Sequence, residues 1–184
     1  MQKFASGICI AALLAGTAAA QVGAQERLKS YQNKLWGKAT LASTFAGATL
    51  GEIRNSPYEY GRTTEGYAKR WGSRLAQNGV KQTIILGVSA WNHEDLRYKK
   101  SNRNGKVARA LYAVKTTFIV PHSNRESTTL AYGRITGAFG AGLISRTWQP
   151  PSTSGVGAGF QSGGISLAID AGVNVLREFW PKKK

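Results

Sequence analysis

Gly155–Pro181 reads GVGAGFQSGGISLAIDAGVNVLREFWP, and the placement of this stretch decides the fold. Small residues recur at every fourth position in two frames: Gly155, Gly159 and Gly163 in one, Gly164, Ala168 and Gly172 in the other. In a helix a residue four along lies nearly above its predecessor, so each frame is a smooth groove where a second backbone approaches closely. Ile165, Ile169, Val173, Leu176 and Trp180 form an apolar stripe, and Ser166, Asp170, Asn174 and Arg177 a polar one beside it. As a helix, Gly155–Leu176 extends about 33 Å at 1.5 Å per residue, close to a bilayer's hydrocarbon thickness. Against a lipid-facing span stands Asp170, which costs about 2.5–3.5 kcal/mol near a span's centre. The pattern predicts an amphipathic packing helix, its polar stripe wet and Gly164, Ala168 and Gly172 forming the contact groove.

The same spacing recurs upstream. Lys38–Asn55 carries Ala39, Ser43, Gly47 and Gly51; Thr128–Trp148 carries Gly133, Gly137, Ala141 and Ser145. One small-xxx-small pair is a chance event; three segments with three or four such positions each predict close helix crossings. The fold expected is all-α, a glycine-rich helical bundle. Other helices are expected at Glu26–Trp36, where Leu28, Tyr31 and Leu35 make one stripe, and from Thr63 or Thr64 through Tyr67, Trp71 and Leu75. Ser56-Pro57-Tyr58-Glu59 reads as a helix start, with Gly61 so close behind that it suits one turn before the fresh start at Thr63 or Thr64, and Asn78-Gly79 reads as a helix stop. Residues 80–88 and 116–120 are rich in β-branched side chains and suit a helix or a strand. The helical reading is preferred, since neither has a strand-like partner close in sequence. Val107–Val120 is expected as a helix that Pro121 ends.

The first twenty residues read as a secretory leader. Lys3 supplies the positive start, Ile8–Leu14 an apolar run too short to span a bilayer, and Ala18-Ala19-Ala20 a cleavage site. Residues 21–184 are then one helical domain. Cleavage removes Cys9, the sole cysteine, so the mature chain has neither disulfide nor thiol chemistry. The chain has 25 basic and 9 acidic side chains, a formal charge of +16. Without Lys3 it is +15 (24 basic against 9 acidic). That balance implies an anionic partner, and export favours the envelope surface over nucleic acid. Trp36, Trp91, Trp148 and Trp180 sit at expected helix ends near Lys, Arg or Pro, with Lys182, Lys183 and Lys184 following the last. Indoles beside basic groups suit a headgroup boundary.

Catalytic signals are weak. The histidines are His93 and His122, and His93-Glu94-Asp95 lacks the i, i+4 spacing that puts two metal ligands on one helix face. Neither a G-x-S-x-G elbow nor a phosphate-binding glycine loop is present. Glu94 and Asp95 are expected to pair with Arg97 and nearby lysines. No metal or cofactor is called for.

At His93-Glu94-Asp95-Leu96-Arg97-Tyr98, and again from Asp170 through Asn174 to Glu178-Phe179-Trp180-Pro181, the chain resembles a group of short, exported, basic, glycine-rich bacterial proteins. The resemblance covers most of the mature chain. It implies an envelope location and brings no activity, cofactor or catalytic residue. The reading is a non-enzymatic exported protein, in the periplasm or at the outer membrane. It would associate with an anionic membrane or a membrane protein complex, with self-association as a further option. Two alternatives stand beside it: a soluble periplasmic polyanion-binding module, and an enzyme built on His93, Glu94 and Asp95.

Overall fold

The computed structural model describes residues 25, 28–123 and 127–181. The leader, Lys182, Lys183 and Lys184 lie outside the described residues. The fold is all-α: residues 28–36 are helical, and five longer helices follow, α1 (Lys38–Ile53), α2 (Thr64–Trp91), α3 (Lys106–Phe118), α4 (Tyr132–Ile144) and α5 (Val156–Phe179). Gly37 separates the first helical segment from α1, as its place in the sequence suggests. Thr63 caps α2 by accepting from the Gly66 N–H at 3.0 Å, which satisfies a first-turn donor. Residues 80–88 lie inside α2, in the helical state preferred from sequence.

Ser56-Pro57 opens a single 3-10 turn, Tyr58–Tyr60, before Gly61 reverses the chain at φ +63° and α2 starts afresh at Thr64, as expected. Three local expectations are corrected. Asn78-Gly79 stops nothing, because Asn78 turns its amide to the Lys34 carbonyl at 3.0 Å and α2 runs on. The helix expected to reach Val120 ends at Phe118, and Thr128 is strand rather than helix. The antiparallel strands β1 (Ile119–Pro121) and β2 (Thr128–Leu130) pair with Val120 opposite Thr129, so the β-branched run finds its partner just beyond the next loop.

The helices pack as successive neighbours, α1 on α2, α2 on α4, α4 on α5 and α5 on α3, with α3 also touching α4. The contact residues are small. A Cβ on Gly142 would stand 2.4 Å from the Gly159 carbonyl oxygen; one on Gly137 would meet Ile85 at 2.5 Å; one on Gly163 would meet Phe139 at 2.5 Å. At Gly159 the nearest atom would be 2.8 Å away and at Gly133, Gly47 and Gly51 3.1 Å, so these ladder positions also lie against neighbouring elements. The other frame of the last helix does not. Around Gly164 and Gly172 an added Cβ meets nothing within 4 Å, as at Gly155 at the open start of the first frame, and Ala168 is exposed. The contact groove of α5 is the Gly159–Gly163 frame, and the Gly164–Ala168–Gly172 groove opens outward.

The apolar and polar faces are inverted too. On α5 the buried residues are Gly159, Gly163, Leu167, Asn174 and Glu178, whereas Ile165, Ile169 and Leu176 are more than half exposed. At 100° per residue, Ile165, Ile169 and Leu176 cluster on the side opposite Leu167, Asn174 and Glu178. Elsewhere the buried apolar residues are mostly alanine: Ala48, Ala113, Ala131, Ala138 and Ala141, beside Ile85 and Val120. Arg70, Glu94, Thr117, Arg134 and Ser145 are buried with them. Among the described residues no buried side-chain polar atom lacks a hydrogen-bond partner, which is the condition for tolerating such an interior.

Candidate functional site

The polar cluster at 92–98 is drawn apart rather than together. His93 lies on left-handed backbone (φ +51°) and its side chain is exposed. The same kink turns Glu94 inward to 2% exposure. Its carboxylate accepts from the Gly133 N–H at 3.0 Å and from the Asn92 amide at 2.9 Å. Ala131, the residue preceding α4, offers no side-chain cap, so Glu94 supplies the acceptor and the negative charge from 39 residues away. Asp95 points elsewhere, to the Arg97 N–H and to the cations of Arg97 and Lys99 at 3.4 and 3.2 Å. Burial raises the Asp95 carboxyl, but these partners outweigh it and hold the group below its ordinary range. The expected pairing therefore holds for Asp95, whereas Glu94 goes to a helix end. The His93 ring is 6.0 Å from that of His122, and a backbone bridge joins Glu94 to His122. Among the described residues no three His, Cys, Asp or Glu side chains are grouped to hold a metal ion.

A second buried carboxylate, which sequence reasoning did not single out as a site, is Glu178. It is 0% exposed and accepts from the Tyr98 hydroxyl at 2.6 Å, Arg109 Nε at 2.8 Å and the Ser101 N–H at 3.1 Å. Burial alone would raise its pKa; the Tyr98, Arg109 and Ser101 donors reverse that and hold it at about 2. Tyr98 is pushed up by burial first and then by its bond to the carboxylate. Arg109 also donates to the Glu178 carbonyl oxygen and stacks 5.1 Å over Phe179. Lys100 donates to the Trp180 carbonyl oxygen. Loop 97–105 and the start of α3 are thereby clamped to the end of α5. Nothing local in the sequence announces this, since each partner lies 69 or more residues away.

Asp170 and Asn174, expected on a wet stripe, face the interior. The Lys81 ammonium bonds Asp170 Oδ2 and Ser166 Oγ, both at 2.8 Å. Asn174 donates to Thr117 Oγ1 at 3.0 Å. Arg134 spreads its guanidinium over the Thr116, Thr117 and Leu96 carbonyls. Burial lowers the pKa of Lys34, and the nearby Arg134 cation lowers it further. The helix interfaces hold cations against few acids and many carbonyls. These groups tie helices together.

A cleft of about 300 Å³ lies between segment 28–36 and α2, lined by Tyr31, Leu35, Trp36, Leu75, Gly79 and Thr83. Among the described residues that line it Tyr31 is the ionisable one, and the Tyr31 hydroxyl already meets the Thr83 hydroxyl at 3.0 Å. The tryptophans expected at a boundary are outside: Trp36 is 69%, Trp91 85% and Trp180 67% exposed. Trp148 is less so and donates to the Ser73 hydroxyl. Trp71 is instead half-buried, its indole N–H on Thr44 and its ring edge-on to Phe45.

The sequence matches no protein-family model, and neither a curated protein nor a solved structure is significantly similar to it.

Proposed function

We propose that the chain is a non-enzymatic exported envelope protein whose outer face rests on an anionic membrane or on a membrane-bound assembly. The observation that carries this reading is the inverted side-chain distribution. Ile165, Ile169, Leu176, Val107, Leu111, Phe45 and Ile53 are all more than half exposed, while alanine, glycine and bonded polar groups fill the helix contacts. Leaving one large aliphatic side chain in water forgoes about 1.5–3 kcal/mol, and so many together mark a surface that has a partner. Exposed tryptophans at helix ends and the excess of basic residues support a headgroup boundary as that partner. Among the described residues no helix is long and apolar enough to cross a membrane, and an interfacial position needs none.

Flotation tests the reading. The secreted chain is expected to rise with vesicles containing anionic phospholipid, and to do so more weakly with zwitterionic vesicles or in high salt. A chain that stays at the bottom of the gradient with both vesicle types, monomeric in low salt, counts against it.

A further inference from the structure

The exposed apolar side chains are not spread evenly, and α3 concentrates them where the charge is most one-sided. Val107, Leu111, Val114 and Phe118 follow at spacings of four, three and four, which at 100° per residue confines them to an arc of about 60°. They are 74%, 65%, 39% and 39% exposed. The opposite side carries Ala113 and Thr117, both 0% exposed, with Arg109 turned to Glu178. α3 is thus held by its small and polar side and shows its apolar side to the outside.

The surroundings of this stripe are basic. From Leu96 to Phe118 there are seven Lys or Arg side chains (Arg97, Lys99, Lys100, Arg103, Lys106, Arg109 and Lys115) and no Asp or Glu. Arg97 and Lys99 are paired with Asp95, and Arg109 with Glu178. Lys100, Arg103, Lys106 and Lys115 are exposed and make no ion pair among the described residues, although Lys100 bonds the Trp180 carbonyl and Arg103 stacks over Tyr112. Trp180 lies at the same end of the molecule, its carbonyl bonded to Lys100 and its side chain 67% exposed.

An apolar stripe on a helix that also exposes Lys106 and Lys115, with Lys100, Arg103 and an indole at the same end, fits the boundary of an anionic phospholipid bilayer. We infer that α3 is the element that enters the membrane. It lies in the interfacial plane with Val107, Leu111, Val114 and Phe118 among the upper acyl chains, and Lys100, Arg103, Lys106 and Lys115 meet the phosphates. A basic protein partner would be repelled by these cations. The clamp from Glu178 to Arg109, Tyr98 and Ser101 fixes α3 on the body of the protein, so the stripe is presented pre-formed. The inference rests on the membrane reading above and narrows it to one helix.

The test uses the secreted chain and vesicles with and without anionic phospholipid. Three variants accompany it: Val107→Ser with Leu111→Ser, Lys106→Glu with Lys115→Glu, and Ile165→Ser with Ile169→Ser as a comparison on α5. All these side chains are exposed, so thermal unfolding should stay near that of the parent. The first variant is expected to lose at least tenfold in partitioning to anionic vesicles. The second should lose a similar amount at low salt and little at high salt, and the third less than threefold. If the parent floats and the α3 variants float equally well, the α3 assignment is overturned while the membrane reading stands. If the α5 variant alone loses flotation, the inserting element is α5. If the α3 variant changes oligomeric state in the absence of vesicles, the stripe is a protein interface. A parent that never floats overturns both.

Discussion

Two glycines place the packing account at risk in opposite directions. Gly142 on α4 faces the backbone of α5: an added methyl carbon would stand 2.4 Å from the Gly159 carbonyl oxygen and 3.1 Å from the Gly163 nitrogen. A carbon–oxygen contact is comfortable near 3.3 Å, so Gly142→Ala requires the helices to part by nearly an ångström, with no flexible side chain to yield. Overpacking of this kind costs about 1–3 kcal/mol, and the upper half of that range is expected because both obstructing atoms are backbone. Alanine gains roughly 0.8–1 kcal/mol in helix propensity, which leaves a net loss of about 1–2 kcal/mol. Gly172, on the outer groove of α5, has open space around it, so Gly172→Ala should retain the propensity gain. For a chain of this length 1 kcal/mol is worth roughly 2–4 °C in Tm. Thermal unfolding followed by circular dichroism should therefore show Gly142→Ala lower by about 2–8 °C and Gly172→Ala higher by about 2–4 °C. Equal shifts, or a stabilised Gly142→Ala, would refute the assignment of the two grooves.

Other perturbations probe the buried polar groups. Glu178 has a folded pKa of about 2 against an ordinary 4.5, so its stabilising effect is full above about pH 4.5 and is lost as pH falls toward 2; Glu178→Gln should flatten an acid denaturation curve over that window. Removing the carboxylate outright with Glu178→Ala leaves Arg109 and Tyr98 without their acceptor and should cost about 3 kcal/mol in urea unfolding. Arg134→Met strands the Thr116, Thr117 and Leu96 carbonyls and should destabilise by about 2–3 kcal/mol, whereas an unchanged urea midpoint would show that the guanidinium contributes nothing. A double-mutant cycle of Lys81→Met and Asp170→Asn should return a coupling of about 1 kcal/mol or more, since both groups are largely enclosed.

The helical class was legible because the signal is local. Spacing at four residues and the Thr63 cap each depend on a few neighbouring side chains. The orientation of α3 and α5 was not legible in the same way. Periodicity separates an apolar face from a polar one, yet it does not say which is inward; that follows from what the neighbouring helix brings. On α5 the neighbours bring Lys81, Arg109, Tyr98 and Thr117, each distant in sequence, and these turn Asp170, Asn174 and Glu178 inward. Once those pairs form, Ile165, Ile169 and Leu176 have only the outside left. The His93–Asp95 cluster misled for a related reason. A left-handed backbone at His93 sends adjacent side chains to different partners, and a one-residue kink of that kind has no spacing signature. The β-branched residues 116–120 were ambiguous because helix and strand share them: Thr116–Phe118 close α3 and Ile119–Pro121 form β1.

Large apolar side chains are proposed to face a lipid boundary while small and polar ones hold the helices together. In the chain from Gln21, which lacks Cys9, cysteines placed singly at Leu111 and at Ile169 can each carry a polarity-sensitive dye, with nitroxide-bearing lipids as quenchers in anionic vesicles. Blue-shifted, lipid-quenched emission is expected at 111, with 169 shifted less. Emission at both positions that stays water-like while the protein floats with the vesicles would overturn that placement.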